Sequence, residues 1–585
     1  MTITEESSTV IPLGEYADGD FYPGYEPRLE SRPFLAEPLA PFTRADEGRF
    51  WMRDSQHFAE GITPASMGLL EDAQTWGTQY GAEIVGIPPT AGMVNRIAGV
   101  HVYLGQCPIT SIWQMGARAE RFGAFAGPRL ADFASYWAGY RAELEAAYTH
   151  FDGLDVDAMD RAELRAALVD TIAFHRRAWG VHFEVMYLLA ANYVALFGLV
   201  TDLGLETGQI PKWLAGEETA YLRTDEELWR LAGRARELGV AGALAEPTVE
   251  DVRAALEREP NGPAWWGELE AFLAVWGQRT DETATMDRPS WAEHPATPLG
   301  TIREFLTRPE GHDFAAARRD VLAERDRLVD EARASLTEED RTRFDAALAS
   351  NRSANFVWWN EEHNFLIDRR VHLPVRRLTL AAAERLVADG VLDAREDVFF
   401  LFRHELLDLL EGPDGSGGPG DCRSLVTARR DYHDHWSARG GELPPVVGTV
   451  PDAVNDPIMT ELFGLTPEYF ATIKAQRATA SLSGFPAARG TVVGTARVVR
   501  AAQDIDQVRD GDILVCGGTT TEWTPVFGLV SGCVTDTGGT LSHTAIIARE
   551  YGIPCVVGTG VATSTITTGD RVRIDGDRGV VEVLG

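Results

Sequence analysis

Apolar positions recur with two different periods along this chain, and the change of period comes late. From about residue 46 to 475 they fall mostly at helical spacing. The stretch Ala162–Val200 (AELRAALVDTIAFHRRAWGVHFEVMYLLAANYVALFGLV) is apolar on several sides and free of proline, which predicts a buried central helix or helix pair. Ala315–Ala349 is rich in acidic–basic neighbours and predicts a helical hairpin edged by solvent. Residues 1–45, with proline, glycine and acids but little periodicity, predict an extended arm. Near Ser481 the texture changes. GFPAARGTVVGTARVVR, DILVC, GCVTD, PCVVG and RVRIDGDRGVVEVL predict short strands with one helix among them.

These patterns predict a multidomain chain, in which a large, mostly α-helical domain precedes a small α/β domain. The expected divisions are an arm over 1–45, the helical domain over 46–475, a hinge over 476–484 and the α/β domain over 485–585. The segment GPDGSGGPGD (412–421) is a loop by composition.

Apolar residues make up 44% of the 585, enough for packed cores. No run of about 18 consecutive apolar residues occurs, so no membrane span is expected. The N-terminus has no apolar signal segment. A net charge of −34 argues against nucleic acid as a partner. Five scattered cysteines without a CxxC pair suit a reducing cytoplasm; neither disulfides nor a metal site is expected. The cations are nearly all arginine, with lysines only at 212 and 474. A nucleotide site that relies on a lysine therefore has almost no candidates.

The informative segment is GCVTDTGGTLSHTAIIAREYGIPCVVGT, residues 532–559. A strand-like run leads into Gly538 and Gly539, which permit a tight turn. Ser542 can cap a helix opening at His543, and Gly552 with Pro554 ends it. Unpaired N–H groups and the positive helix end favour a phosphoryl dianion there. A neutral imidazole is a competent nucleophile toward phosphorus. The hydroxyls of Thr540 and Ser542 are placed to donate to phosphoryl oxygens.

The string GGTLSHTAIIAREYGIP resembles the swivelling phosphohistidine domain of the phosphoenolpyruvate-utilising family, over roughly residues 480–585. The resemblance implies that His543 carries a phosphoryl group while its domain swings between two sites. More loosely, residues 46–475 resemble the substrate domain of rifampin-phosphotransferase-like proteins and of phenol-phosphorylating synthases, through FWMRDSQHFAEGITPAS, WWNEEHNFLIDRR and DVFFL. Family members that charge their own histidine carry an ATP-grasp domain. No such pattern is evident here, and the GSGGPG string at 415–420 follows no strand and opens no helix. The resemblance thus implies a split, dikinase-type arrangement. A separate ATP-grasp subunit, holding ATP and Mg2+, passes the β-phosphate to His543, and His543 passes it to a small, phenolic hydroxyl. The alternatives are a rifampin-type antibiotic phosphotransferase component and a non-catalytic phosphorelay or regulatory protein.

A phenol with a pKa of about 10 gains from a base as it attacks phosphorus. Glu362 and His363 are the first candidates. On a continued helix, His363 shares a face with Arg370 and Glu362 with Arg369, which puts arginines beside the transferring group. Asp54 and His57, at helical spacing with Glu60, and His182, on one face with His175 and Trp179, are candidates to line the acceptor pocket. Trp359, like Trp51, Trp113 and Trp358, is a candidate to stack on an aromatic acceptor.

Overall fold

The computed structural model describes residues 9–584 except 20, 27–33, 36, 56, 59–60, 308–313, 412–417, 441–442, 453–458, 460–462, 476–480, 501–504, 506, 520 and 540–541. Most of the expected hinge, Thr540, Glu60 and the first part of the 412–421 loop therefore lie outside the described residues.

The helical body contains a six-stranded sheet that periodicity did not reveal. Its strands are β1 (Thr9–Ile11), β2 (Ala40–Pro41), β3 (Phe50–Arg53), β4 (Thr90–Ala98), β5 (His101–Pro108) and β6 (Val446–Val450), in the order β1-β6-β3-β5-β4-β2. Residues 9–11 and 40–41 of the expected arm are thus part of the body. Thr9–Ile11 pairs antiparallel with Gly448–Val450, and Ala40–Pro41 runs parallel to β4. Trp51 on β3 is fully buried against Phe42, which packs in turn on Tyr103, and the Trp51 indole N–H donates to the Asp46 carbonyl at 2.8 Å.

One helix, Arg161–Asp202, runs through the body. It is a single helix of 42 residues, opened by a capping box between Asp160 and Glu163. By length and composition it is apolar enough to cross a membrane, with a mean hydropathy of 1.7 in its best 18-residue window, which the criterion of uninterrupted apolar residues does not detect. Leu164, Leu168, Trp179, Leu189, Tyr193 and Leu196 are buried in the main core.

That core also encloses charge. Pro64–Leu70 continues through a π-helical stretch, Glu71–Gly77, into Thr78–Val85. The π-helical stretch aims Asp72 at Arg176 Nε (2.9 Å) and Arg403 Nη1 (2.5 Å). Burial raises the pKa of the Asp72 carboxyl, but Arg403, His175 and Arg176 outweigh it and hold the group far below the usual carboxylate range.

The C-terminal domain is an eight-stranded sheet: β7 (Ser481–Ser483), β8 (Phe485–Ala488), β9 (Thr491–Val498), β10 (Ile513–Cys516), β11 (Gly532–Thr535), β12 (Cys555–Val557), β13 (Arg571–Asp575) and β14 (Val580–Val583), in the order β7-β14-β13-β9-β10-β11-β12-β8. Strands β9 to β12 are parallel. All residues of β10, β11 and β12 are buried, as parallel strands covered on both faces require. The helix His543–Tyr551 follows β11, so its first turn stands at the carboxyl end of the parallel strands, where open α/β sheets hold their ligands. Ser481–Ser483, at the end of the expected hinge, is already a strand of this sheet.

Replacing Asp72 with Asn leaves two arginines and a histidine facing a neutral amide. The expected loss is about 3–5 kcal/mol, the range for breaking a buried pair. Denaturant unfolding followed by helix content checks it; an unchanged midpoint contradicts the role given to Asp72.

Candidate active site

The histidine turn is held from its own side of the structure and from the body. Ser542 is extended (φ −67°, ψ 155°) and caps the helix that opens at His543. Its hydroxyl accepts from the Ala545 N–H at 3.4 Å and donates to the Gly539 carbonyl at 2.8 Å. The Ser542 proton is therefore spent on the turn, and the expectation that it donates to a phosphoryl oxygen is corrected: Ser542 shapes the loop. Two threonines absent from the sequence reading brace it from behind. Thr544 Oγ1 lies 2.8 Å from Thr519 Oγ1 and accepts from the Thr519 N–H at 3.3 Å.

Gly538 has φ +103° and donates its N–H to the Phe463 carbonyl at 3.2 Å. Its own carbonyl oxygen is crowded by two other left-handed glycines, so that a Cβ on Gly464 would lie 2.3 Å away and one on Gly558 2.7 Å away. Further contacts join the domain to the body. A Cβ on Gly517 would lie 4.0 Å from Ser55 Cβ, and one on Gly560 3.2 Å from the Tyr469 ring. The charge of Asp536 acts on Arg53, and Asp536 is itself fixed by the Thr563 N–H at 3.0 Å. Gly517 in turn accepts from Thr537 N and Oγ1 at 3.0 and 2.7 Å. The loop leading to His543 thus faces the segment after β3.

That segment carries Asp54 and His57. They lie in a turn, not on the expected helix, which begins only at Pro64. His57 Nδ1 is 2.9 and 3.0 Å from the two Asp54 carboxylate oxygens, and the His57 backbone N–H donates to Asp54 Oδ1 at 3.1 Å. Burial raises the Asp54 pKa, yet the hydrogen bonds and charge of His57, with Gln74, carry it below the usual value.

A second His–Asp pair comes from other elements of the body. His182, on the central helix, has Nδ1 2.9 Å from Asp368 Oδ1. The charges of Asp368 and Arg369 act on both His57 and Glu361, which places these polar residues in one neighbourhood. Arg369 donates to the Asp281 carbonyl, and Tyr221 supports its charge. Glu361, missed in the sequence beside Glu362, has its carboxyl pushed up to about 7. Burial is the main cause; Arg369 opposes it, and Asp368 and Glu362 add to it.

Several expected site residues have other work. The helix Phe356–Leu366 ends before Asp368, so the shared faces of His363 with Arg370 and of Glu362 with Arg369 do not exist. Glu362 accepts from the Ala220 N–H at 2.7 Å and pairs with Arg223 at 3.2 Å, which commits it to a neighbouring helix start. His363 is fully buried, bonds the Trp359 carbonyl through Nδ1 at 2.7 Å and packs 4.6 Å from the His182 ring. Burial, aided by His182, pushes its pKa down to about 3, too low for a useful base near neutral pH. Arg370 reaches Asp152 at 3.1 Å and lies over Tyr148. Trp359 is core: it is buried, donates to the Ser353 carbonyl at 3.0 Å and packs on Phe133. Trp51 is core as well, Trp358 donates to the Glu218 carbonyl at 3.1 Å, and Trp113 is 89% exposed. His175 accepts from the Trp179 indole at 3.2 Å and faces Asp72.

Residues 508–579 match the mobile domain of phosphoenolpyruvate-utilising enzymes, and residues 182–361 match the rifampicin phosphotransferase fourth domain. Similar proteins include the chondramide synthase of Chondromyces crocatus, 30% identical over 92% of this chain and 14% of that protein. An uncharacterized phosphotransferase, YvkC, of Bacillus subtilis (strain 168) is 29% identical over 70% of this chain and 48% of its own length. The rifampicin phosphotransferase of Streptomyces sviceus is 31% identical over 58% of this chain and 37% of its own length. The chain spans less than half the length of each of these relatives. With a mobile domain of this kind behind helices of the rifampicin phosphotransferase type, the chain resembles the phosphoenolpyruvate-utilising enzymes, and rifampicin phosphotransferase among them.

Proposed function

We propose that this chain is the phosphoryl-carrying and acceptor-binding part of a phosphotransferase. His543 takes a phosphoryl group and hands it to a hydroxyl held in the Asp54–His57–His182–Asp368–Arg369 pocket. The observation that carries the reading is the position of His543 at the opening of a capped helix, behind a loop that abuts the segment bearing Asp54 and His57.

The chemistry needs little of the protein beyond position and charge. The helix start supplies N–H groups and a positive dipole end for the phosphoryl oxygens. Phosphohistidine is attacked by the acceptor oxygen; the P–N bond breaks, and its electron pair returns to His543. Arg369 sits in the pocket to offset charge on the transferring group. Glu361, whose pKa is near 7, holds a proton part of the time at neutral pH and can donate it in a hydrogen bond to the acceptor oxygen.

The donor in this reading is ATP with Mg2+ on a separate ATP-grasp subunit, which supplies its β-phosphate and releases AMP and phosphate. Support comes from the two lysines of the sequence, neither in a phosphate-binding motif. A small phenol is the acceptor in the leading version. The match over 182–361 favours a second version, in which the acceptor is a hydroxyl of a rifampicin-like antibiotic. Mixing the chain with an ATP-grasp protein, labelled ATP and a panel of phenols plus rifampicin separates the two by product. Acid-labile label is expected on the wild-type chain and none on His543→Ala with its fold intact. Label that persists in the variant contradicts the carrier role.

A carboxyl raised from 4.5 to about 7 binds its proton more tightly in the folded state. Its contribution to stability is therefore present below pH 4.5 and is lost as pH rises through about 7. Glu361→Gln is expected to remove that decline, and to be more stable than wild type at pH 8 by on the order of 1–3 kcal/mol. Unfolding curves at pH 5 and 8 check it; parallel pH dependence in the two proteins contradicts the raised carboxyl.

A further inference from the structure

His57 is more exposed than His182, His175 and His363, which are buried. His57 follows β3 in a turn anchored by the Asp54 N–H, which donates to the Val102 carbonyl at 2.9 Å. Its Nδ1 faces both oxygens of a carboxylate that is only 1% exposed, while the imidazole itself is 35% exposed. Asp54 is held in turn. Gln74 Nε2 donates to Asp54 Oδ2 at 2.9 Å, Asn95 Nδ2 donates to Gln74 Oε1 at 3.0 Å, and Thr75 Oγ1 donates to Asn95 Oδ1 at 2.9 Å. Gln74, Asn95 and Thr75 are all buried. A satisfied buried chain of this kind fixes one orientation of the carboxylate, and the carboxylate fixes one tautomer and one orientation of the ring. The proton stays on Nδ1, and the lone pair is left on Nε2. No described protein group hydrogen-bonds to Nε2.

The placement matches the orientation. Ser55, two residues before His57, approaches Gly517 of the C-terminal domain, where an added Cβ would lie 3.8 Å from Ser55 Oγ; the Gly517 carbonyl anchors Thr537 just ahead of the Gly538–Gly539 turn and His543. The ring thus stands on the face of the body that meets the loop leading to His543, and the charges of Asp368 and Arg369 act on it.

We propose that His57 is the general base that takes the acceptor's proton, with Asp54 its positioning residue and Gln74, Asn95 and Thr75 the support of Asp54. The inference rests on the phosphotransfer reading above and goes beyond it by naming the proton's destination. The acceptor R–OH attacks phosphorus as its proton passes to His57 Nε2; the O–P bond forms and the N–P bond breaks. His543, whose second nitrogen keeps its proton, leaves as neutral imidazole. R–OPO3²⁻ and a His57 imidazolium paired with Asp54 result, so charge and protons balance.

The charged groups around His57 are Asp54 on its own turn, and Asp368 and Arg369 from the turn after Phe356–Leu366. Burial lowers the imidazole pKa, but Asp54 and Asp368 together outweigh burial and Arg369 and raise it above the usual 6.5. The base is thus strengthened, and it works once pH has risen past that raised value.

The test uses the full chain with His543 loaded by phosphoramidate, which phosphorylates histidine without a partner protein. Single-turnover transfer at pH 8 is followed to two probes: phenol, which needs a base, and 4-nitrophenol, which is already largely ionised. His57→Gln is expected to slow transfer to phenol by about 100-fold or more. Transfer to 4-nitrophenol should fall far less, with loading and hydrolysis of phosphohistidine unchanged. Asp54→Asn should move the pH limb of phenol transfer downward, because the charge that raises the His57 pKa is gone. Equal losses with both phenols would reduce His57 to a structural residue and overturn the proposal, as would no loss with either. If the loaded wild-type chain transfers to neither probe, the acceptor reading itself falls, and the base with it.

Discussion

Three left-handed glycines meeting at one carbonyl are the constraint on which the rest depends. Gly464 of the body and Gly558 of the C-terminal domain both press on the Gly538 oxygen, at separations that no Cβ tolerates. Gly538 also donates to Phe463, so the loop is pinned to the body through its backbone at two adjacent points. A backbone contact sets position more tightly than flexible side chains do, and it leaves the side chains that follow free for chemistry. His543 stands five residues later, at the start of a helix. The neighbouring contact is apolar, with Val561 packed against the cluster that holds Tyr469 and Ile473.

The charge economy of the site follows from the same geometry. The chain has a net charge of −34, yet its buried aspartates lie where histidines and arginines answer them. Asp54 faces His57, Asp368 faces His182, and Asp72 faces two arginines. Glu361 is the exception, a carboxyl that burial holds near a pKa of 7 although Arg369 is near. Near neutral pH Glu361 holds its proton part of the time, while Asp54 and Asp368 strengthen His57 as a base.

What could be read in the sequence was what is local. The histidine turn is legible because glycine, a capping serine and the helix that follows lie within about a dozen residues. The six-stranded sheet is not. Its strands come from residues 9–11, 40–41, 50–53, 90–98, 101–108 and 446–450, and several are too short to show a period. Asp54 and His57 stand out at a spacing of three, which fits a helix and a turn equally, and only the structure shows the turn. Nothing local sets Glu361 apart from Glu362, and the pairing of Glu362 with Arg369 requires a helix that runs on past Leu366; the helix ends there, and Arg370 turns to Asp152. Thr519 and Thr544, 25 residues apart, carry no mark in the sequence of their contact.

The central claim is that the docked loop delivers His543 to the Asp54–His57 side of the body. Ser55 and Gly517 offer a direct measurement, since a Cβ on Gly517 would lie 4.0 Å from that of Ser55, within disulfide reach. The native thiols interfere little, because four of the five are buried. With Ser55→Cys and Gly517→Cys combined and His543 loaded with phosphoryl, mild oxidation is expected to form the cross-link readily. The locked chain is expected to keep single-turnover transfer to phenol. A pair that fails to cross-link, or a locked chain that transfers nothing until it is reduced, would contradict the account.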